Sequence, residues 1–228
     1  MTTKAVDVLL VGAGAMSTTL GMLLKQLDPS MKICMVERLD HVAHESTDAM
    51  NNAGTGHAAY CELNYTPKTA DGGVNPSKAF AINEAFEVSL QFWSYLVNAK
   101  ALPSPEKFIS NVPHQSFVWG EENVQFLRSR FETLSSTQQF AQMEYSEDHE
   151  VLREWMPLVM QNRSADEKVA GTRVRHGADV NFGSLARHMV EHLDQQGDFE
   201  LLLSRSVEEL TQGDDKRWTV ELKNEQSG

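Results

Sequence analysis

The stretch VDVLLVGAGAMS, residues 6–17, joins an apolar run to a glycine turn. A segment with helical character, 15–27, follows, and a second apolar run from Ile33 to Val36 ends at Glu37. Strand, glycine turn, helix, strand and acid, in this order, begin a dinucleotide-binding βαβ unit. The sequence therefore predicts an α/β fold that binds the pyrophosphate of a redox cofactor near its amino terminus.

The composition indicates a soluble globular protein and disfavours nucleic acid as a partner. Of the 228 residues, 41% are hydrophobic and 23% are charged, and the net charge is −12. Nucleic acid is not an expected partner, because phosphate contacts need a basic face. Cys34 and Cys61 form neither a CxxC pair nor a zinc spacing, so we expect reduced thiols in a cytoplasmic chain. Neither a signal peptide nor a membrane span fits the amino-terminal sequence.

The glycine turn has residues suited to each part of cofactor binding. Gly12 permits the tight turn out of the first strand, and Gly14 lets the backbone approach a phosphate at the helix amino terminus. Ser17 stands at the third position of the fingerprint, and Gly21 is expected to supply close helix packing one turn later. Glu37 is expected to accept hydrogen bonds from an adenosine ribose and to repel the 2′-phosphate of NADP. A tight turn without a ligand is the alternative, and the complete order of elements favours the cofactor.

The segment after Glu37 favours FAD over NAD. Residues 45–67, ESTDAMNNAGTGHAAYCELNYTP, are rich in small and amide side chains. Such a segment is suited to wrap an extended cofactor and to donate backbone N–H groups to a pyrophosphate and a flavin ring. An ordinary surface loop is the alternative, and apolar residues such as Tyr60 and Leu63 argue against it.

At these residues the sequence resembles a known family, the FAD-dependent malate:quinone oxidoreductases. The resemblance covers nearly the whole chain and is most specific at residues 51–67. It is carried by the motifs VGAGAMSTTLGMLL (11–24), VER (36–38), NNAGTGHAAYCELNYTP (51–67), INEAFEVSLQFW (82–93), FISNVPHQSFVWG (108–120), NVQFLRSR (123–130), MEYSED (143–148), WMPLVM (155–160) and DVNFGSLARHM (179–189).

This resemblance implies a glutathione-reductase-like, Rossmann-type FAD-binding domain with an inserted α+β substrate domain. Residues 1–76 are expected to form the first part of the FAD-binding domain, 77–198 the mostly helical and mixed segments of the inserted domain, and 199–228 the returning strand and hairpin. Family members continue well beyond position 228, so we expect an amino-terminal, truncated portion of such an enzyme. Whether this portion is active alone is left open.

The implied reaction is the oxidation of (S)-malate to oxaloacetate in the tricarboxylic acid cycle, with electrons passed through FAD to a membrane quinone. Peripheral contact with the inner face of the cytoplasmic membrane is left open. Two alternatives to this reaction remain. The scaffold could oxidise another 2-hydroxy acid, such as 2-hydroxyglutarate, or the chain could be an inactive, truncated nucleotide-binding domain.

The resemblance also nominates cofactor contacts outside the glycine turn. Ser46, Asn52 and Gly54 lie in the wrapping segment and are expected to contact FAD. Arg38 belongs to the VER motif and is included in the same set. Val207 is expected to offer backbone groups to the adenine, because the returning strand of this fold ends there.

Oxidation of a 2-hydroxy acid needs a base for the hydroxyl proton and cations for the carboxylates. His57 is the leading base candidate, because it lies between small residues in the segment expected near the flavin. An equally supported alternative is that His57 orients the flavin or the backbone by a hydrogen bond and transfers no proton. Arg163 and Arg173 are candidate carboxylate contacts, although a solvated surface arginine is the more ordinary interpretation of each. A base or clamp outside this chain is a further alternative.

One motif, HMVEH at residues 188–192, has the order of the inverted zinc-protease signature. A metal site needs both histidines on one protected face together with a third ligand. Leu185, Met189 and Leu193 define the core-facing stripe of this predicted helix, and the two histidines flank that stripe. No metal site is therefore expected.

Overall fold

Strands and helices are mixed along the whole chain. The computed structural model describes residues 3–226. Within these residues the elements follow one another as β1 (Val8–Val11), α1 (Ala15–Leu27), β2 (Ile33–Val36), α2 (Ser77–Asn98), β3 (Ile109–Asn111), β4 (His114–Trp119), α3 (Glu121–Ser135), β5 (Glu144–Ser146), α4 (His149–Trp155), α5 (Pro157–Met160), β6 (Val169–Val174), β7 (Ala178–Val180), α6 (Phe182–Asp194), β8 (Phe199–Leu202), β9 (Arg205–Gln212) and β10 (Trp218–Asn224). None of the helices in residues 3–226 combines the length and the apolar character that crossing a membrane requires.

The chain folds into two compact units. The first unit contains the residues up to Gly54, the segment Tyr95–Ile109 and the described residues from Val180 onward. The second unit contains Thr55–Ser94 and Ser110–Asp179. The expected division into a cofactor domain and a substrate domain stays a prediction.

The first unit is built on a parallel sheet with the strand order β1-β2-β8. All four residues of β2 are buried, as is typical of the central strand of a parallel sheet. Val36, the last residue of β2, pairs with Val11 on one side and with Leu202 on the other, so the carboxyl ends of the strands share one edge. Helix α1 joins β1 to β2, and this βαβ arrangement confirms the predicted α/β fold class.

Helix α1 packs closely on its neighbours at Gly21. An added Cβ at Gly21 would lie 3.2 Å from side-chain carbons of both Leu10 and Leu193, closer than ordinary van der Waals contact. The buried positions of the helix are Thr18, Gly21, Met22 and Lys25. Gly21 therefore supplies the close helix contact that was expected one turn after Ser17.

A buried lysine closes the carboxyl end of α1. Lys25 is 1% exposed, and its ammonium group donates to the carbonyl oxygens of Pro29 at 2.9 Å and of Gly197 at 2.7 Å. A cation near the carboxyl end of a helix also interacts favourably with the helix dipole. Lys25 thereby joins the turn after α1 to the residues that lead into β8.

Two further pairs of strands lie outside this parallel sheet. Strands β9 and β10 form an antiparallel hairpin whose register shifts between Glu221 and Leu222, which marks a β-bulge. The N–H of Gly213 donates to the carbonyl oxygen of Arg217 at 2.9 Å and closes the hairpin turn. The short strands β3 and β7 pair with each other.

The second unit packs α3 and α4 against an antiparallel sheet with the order β4-β6-β5. Leu127 and Leu134 of α3 and Leu152 of α4 are 0% exposed. Gly171 lies in the central strand β6, and an added Cβ there would lie 2.7 Å from the Leu152 side chain and 2.9 Å from the Met156 side chain. The approach of α4 to the sheet therefore depends on a residue without a side chain.

We expect Gly171→Ala to destabilise the protein, because the new methyl group would overlap the two side chains that now occupy its place. Overpacking of this kind costs about 1–3 kcal/mol of unfolding free energy. Gly197→Ala is the matched control, since no atom lies within 4 Å of its added Cβ, and its effect should stay within about 0.5 kcal/mol. Denaturant titration measures both values, and equal values would contradict the close contact between α4 and β6.

Candidate functional site

A cleft of about 600 Å³ opens at the carboxyl ends of β1 and β2, where α1 begins. Open parallel sheets bind their ligands at this edge. The lining comes from the glycine turn, the first turn of α1, the end of β2 and the segment 43–52, all of them in the first unit. Phe182, the first residue of α6, also lines the cleft, although sequence reasoning did not single it out.

Two glycines shape the turn, each for a different reason. Gly12 has a φ of +87°, in the left-handed region that favours glycine, and its N–H donates to the carbonyl oxygen of Val36 at 2.7 Å. Gly14 has an ordinary φ of −90°, but a Cβ there would lie 2.9 Å from Oγ1 of Thr47. Backbone conformation therefore requires the first glycine, and space requires the second.

Thr47 completes the start of α1. Its hydroxyl oxygen accepts a hydrogen bond from the N–H of Ala15 at 3.1 Å, and the residue is 7% exposed. The N-cap residue is Gly14, which has no side chain to cap the helix, and the N–H of Ala15 bonds a residue 32 positions further along the chain. Sequence reasoning missed Thr47, because no spacing rule around the glycine turn reaches so far along the chain.

The carboxylate of Glu37 fixes the other side of the turn. Its Oε2 accepts from the N–H of Ala13 at 2.8 Å, and its Oε1 accepts from the N–H of Leu39 at 2.9 Å. Glu37 also lines the cleft, at the end of β2 where a ribose-binding acid is expected in this kind of fold. The same side chain thus holds the turn and faces the site.

Most of the predicted cofactor residues meet in this cleft. The ones that line it are Gly12, Gly14, Ser17, Glu37, Ser46 and Asn52. The Asn52 amide nitrogen donates to the carbonyl oxygens of Ser46 at 2.9 Å and Asp48 at 2.7 Å, and its amide oxygen accepts from the N–H of Gly54 at 2.8 Å. Asn52 therefore folds the wrapping segment back on itself beside the glycine turn.

Three predicted cofactor residues are not among those that line the cleft. Arg38 is exposed and lies 3.3 Å from the carboxylate of Glu45. The carbonyl oxygen of Gly54 accepts from the N–H of Val180 at 2.5 Å. Val207 lies within strand β9 of the hairpin. Contact of these residues with a cofactor stays a prediction.

His57 lies in the second unit, at the apex of a three-residue turn. The N–H of Ala58 donates to the carbonyl oxygen of Gly56 at 2.7 Å and closes the turn, and the N–H of Gly56 donates to the carbonyl oxygen of Ala178 at 2.7 Å. His57 is exposed, whereas Ala58 and Ala59 are 2% and 0% exposed. The predicted base is therefore an exposed imidazole on a fixed backbone.

Arg163 and Arg173 also lie in the second unit, where each binds a glutamate. Arg163 contacts the two carboxylate oxygens of Glu167 at 2.9 and 3.0 Å, and Arg173 contacts Glu144 at 2.9 Å. Arg173 also lies 4.3 Å from the ring centre of Trp155. The two arginine side chains are 24% and 12% exposed, so neither is a freely solvated surface cation.

The HMVEH motif lies on α6, in the first unit. Nδ1 of His188 is 3.0 Å from the carboxylate of Glu191, and the Glu191 side chain is 65% exposed. Within residues 3–226, no group of three His, Cys, Asp or Glu side chains is arranged to hold a metal ion.

Comparison with known proteins points to one family. The family model described as Malate:quinone oxidoreductase (Mqo) matches residues 4–228. A probable malate:quinone oxidoreductase from Hahella chejuensis is 61% identical over 228 residues, which are 100% of this chain and 46% of that protein. A probable malate:quinone oxidoreductase 1 from Pseudomonas aeruginosa is 53% identical over 219 residues, 96% of this chain and 42% of that protein. The chain thus spans a little under half the length of these curated relatives.

Solved structures of more distant proteins share the fold. L-α-glycerophosphate oxidase from Mycoplasma pneumoniae, reduced with dithionite and with FAD bound, has a TM-score of 0.66 at 16% identity, covering 97% of this chain and 50% of that chain. Glycine oxidase from Geobacillus kaustophilus has a TM-score of 0.66 at 12% identity, covering 96% and 52%. At these identities the likeness establishes the fold, and it confirms the predicted Rossmann-type architecture.

We expect Thr47→Val to destabilise the start of α1, because valine keeps the shape of threonine but lacks the oxygen that accepts the Ala15 N–H. The unfolding free energy should fall by about 0.5–2 kcal/mol, the range for lost helix caps. Thr47→Ser is the matched control, since serine keeps the hydroxyl group. Chemical denaturation of the three proteins measures both losses, and a Thr47→Val loss no larger than the Thr47→Ser loss would contradict a stabilising role of the hydroxyl group.

Glu144 should make stability depend on pH through its arginine partners. Hydrogen bonds from Arg175 and Arg173 lower the pKa of Glu144 to about 2, from an ordinary value of 4.5. A carboxyl group with a depressed pKa contributes stability that is complete above its unfolded-state pKa and is lost as the pH falls toward its folded-state pKa. The contribution is therefore lost between pH 4.5 and about pH 2.

We expect the wild-type protein to lose more unfolding free energy than Glu144→Gln as the pH falls through this range. The difference should be modest, because the Glu144 side chain is 35% exposed and water screens the pair. Denaturant titrations at several pH values measure it. Parallel pH profiles for the two proteins would contradict the proposed coupling.

Proposed function

The chain belongs to the malate:quinone oxidoreductase family, and from that membership we propose that it forms part of an enzyme that oxidises (S)-malate to oxaloacetate and passes the electrons to a quinone. The family match along the chain is the observation that carries this proposal. The cleft at the glycine turn supports it, because flavin-linked oxidation requires a site for a dinucleotide.

We propose FAD as the cofactor of this cleft. The first turn of α1 offers N–H groups to a pyrophosphate, and Gly14 leaves no side chain between the backbone and the cleft. The carboxylate of Glu37 has lone pairs for ribose hydroxyl groups in addition to its two backbone contacts. The glycerophosphate oxidase of the same fold binds FAD. When bound, FAD supplies the acceptor for the hydride that leaves the alcohol carbon of the substrate.

We propose that an imidazole nitrogen of His57 takes the proton of the substrate hydroxyl group. The exposed position of His57 and its fixed turn support this role, because a general base must reach the proton in a defined geometry. A role in orientation alone, through a hydrogen bond to the flavin, is the second candidate for the same residue. Ser17, Ser46 and Asn52 are proposed as cofactor contacts on the strength of their position in the cleft.

The two carboxylates of malate need cationic or hydrogen-bonding partners. Arg163 and Arg173 stay proposed contacts, and each would have to exchange or share the glutamate that it now binds. Another 2-hydroxy acid with two carboxylates, such as 2-hydroxyglutarate, presents the same groups at a longer spacing. We retain such an acid as the alternative substrate. The second alternative is that the chain is an inactive nucleotide-binding domain that turns over no substrate.

We further propose that the first unit binds the cofactor and that the second contributes to the substrate side, although the bounds of these units differ from those of the predicted segments 1–76, 77–198 and 199–228. A quinone resides in a lipid bilayer, so a peripheral contact with the inner face of the cytoplasmic membrane belongs to the same proposal. The net charge of −12 opposes attraction to anionic headgroups. Such a contact would therefore depend on apolar side chains.

The test uses the native polypeptide that carries this sequence, purified without added cofactor. We expect a flavin absorbance band and malate-dependent reduction of a quinone analogue. His57→Gln should keep the flavin and lower kcat by roughly 10²–10⁴-fold, the usual contribution of a general base. Steady-state kinetics with malate, 2-hydroxyglutarate and lactate compares the substrates.

Each outcome distinguishes one interpretation. A flavin-containing protein that reduces no acceptor with malate would overturn the substrate assignment, and activity with 2-hydroxyglutarate in its place would establish the alternative. Flavin-free protein without turnover on any of these acids would favour the inactive domain. An unchanged kcat in His57→Gln would remove His57 from proton transfer and leave the orienting role.

A further inference from the structure

The two ends of the segment that follows His57 are buried in the second unit. Ala58, Ala59, Tyr60 and Thr66 are between 0% and 5% exposed. Each buried peptide group has a carbonyl oxygen that needs a donor when no strand or helix supplies one. Within the segment 58–66, which we call the histidine loop, a 3-10 turn at Leu63–Tyr65 bonds the carbonyl oxygens of Glu62 and Leu63. The carbonyl oxygens of residues 58–61 are instead bonded by side chains from elsewhere in the unit.

Arg130 of α3 donates three hydrogen bonds to the histidine loop. It is 0% exposed, and its Nη2 donates to the carbonyl oxygens of Ala59 at 2.9 Å and Tyr60 at 3.2 Å. Its Nε donates to the hydroxyl oxygen of Thr66 at 3.1 Å. The planar fork of a guanidinium group fits such a set of acceptors, whereas an ammonium group does not. One side chain thus joins the beginning of the histidine loop to its end.

Two other buried side chains also donate hydrogen bonds to carbonyl oxygens of the histidine loop. Asn83 of α2 is 1% exposed and donates to the carbonyl oxygen of Ala58 at 2.9 Å. Ser116 of β4 is 5% exposed and donates to the carbonyl oxygen of Cys61 at 2.9 Å. Together with Arg130, these residues supply donors to four consecutive carbonyl groups of the histidine loop.

The backbone that they hold is strained. Ala59 has a φ of +58°, in the left-handed region that alanine rarely adopts. Such a conformation persists where the surrounding contacts impose it, and it concentrates at functional sites. Ala59 lies two residues after His57, so the strained position borders the turn that presents the imidazole.

Burial of the Arg130 guanidinium group costs desolvation free energy. Burial lowers the pKa of Arg130 to about 10, against the opposing effect of the neighbouring Cys61 and Glu62, so the group stays charged at neutral pH. Its partners are carbonyl and hydroxyl oxygens rather than carboxylates, and its Nη1 has no hydrogen-bond partner among the described residues. An apolar side chain in its place would leave the acceptors at Ala59, Tyr60 and Thr66 without this donor, so the segment depends on the arginine for these bonds.

We propose that Arg130 is a positioning residue: by binding the carbonyl oxygens of Ala59 and Tyr60, it fixes the turn that presents His57 to the substrate. The catalytic consequence rests on the proposed function, whereas the fixed geometry of the histidine loop does not. Asn83 serves the same purpose through Ala58 and is the second residue of this support.

The first experiment measures hydrogen exchange of the backbone amides in segment 56–61, in the native polypeptide without substrate. Arg130→Met removes every donor and keeps the bulk of the side chain, and we expect these amides to exchange roughly tenfold faster or more. Leu152→Ala is the matched control, because it creates a cavity in a different core cluster, formed with Met156, Met160 and Val169. Arg130→Lys and Asn83→Leu provide milder variants should Arg130→Met fail to fold.

The second experiment is a double-mutant cycle on kcat. A residue that acts through His57 loses its effect when His57 is absent. We expect Arg130→Met, or Arg130→Lys in its place, to lower kcat by roughly 10- to 100-fold in the wild-type background. In the His57→Gln background the same substitution should have almost no effect.

The two experiments separate the possible failures. Exchange rates in segment 56–61 that match those of Leu152→Ala would overturn the proposal, and so would equal effects of the Arg130 substitution on kcat with and without His57. A wild-type protein that oxidises no 2-hydroxy acid would overturn the proposed function alone. The exchange rates would then decide the positioning role by themselves.

Discussion

The N–H groups of the glycine turn and of the first residue of α1 must find acceptors, and they find them in other parts of the first unit. Glu37 accepts from Ala13, and Thr47 accepts from Ala15. These acceptors come from the end of β2 and from the wrapping segment, so satisfying one turn draws three separate parts of the chain together. The cleft is the space left between them. A helix amino terminus that is held in this way retains its preference for negative charge, which makes the cleft suited to a pyrophosphate.

The second unit also contains buried backbone polar groups that need hydrogen-bond partners. There the buried groups are carbonyl oxygens rather than N–H groups, and the donors are the side chains of Arg130, Asn83 and Ser116. In both units, backbone polar groups at or beside the predicted site residues are bonded to side chains distant in sequence. A rigid support of this kind is what a reacting group needs, since small displacements of such a group reduce the rate strongly.

Local sequence patterns predicted the features that depend on a residue's own backbone conformation or on its position within the βαβ unit. Gly12 is required by its own backbone conformation, and Glu37 by its place at the end of the second strand, so both are visible in a spacing of a few tens of residues. Thr47 and Arg130 act on partners 32 and 71 residues away, respectively. Their roles follow from tertiary contacts, which no periodicity or motif of a single sequence encodes.

The sequence also does not reveal the ion-pair partners of the two candidate arginines, Arg163 and Arg173. Their charge made them candidates for carboxylate binding, but the sequence does not show that each has a glutamate partner. Arg163 pairs with Glu167 one turn away, and exposed or half-exposed pairs of this kind contribute about 0–1 kcal/mol. Both guanidinium groups lie over aromatic rings, but the Arg173 side chain is less exposed, 12% against 24%, and its partner Glu144 also binds Arg175. Exchange of a glutamate for a substrate carboxylate is therefore easier at Arg163, which makes it the better of the two proposed contacts.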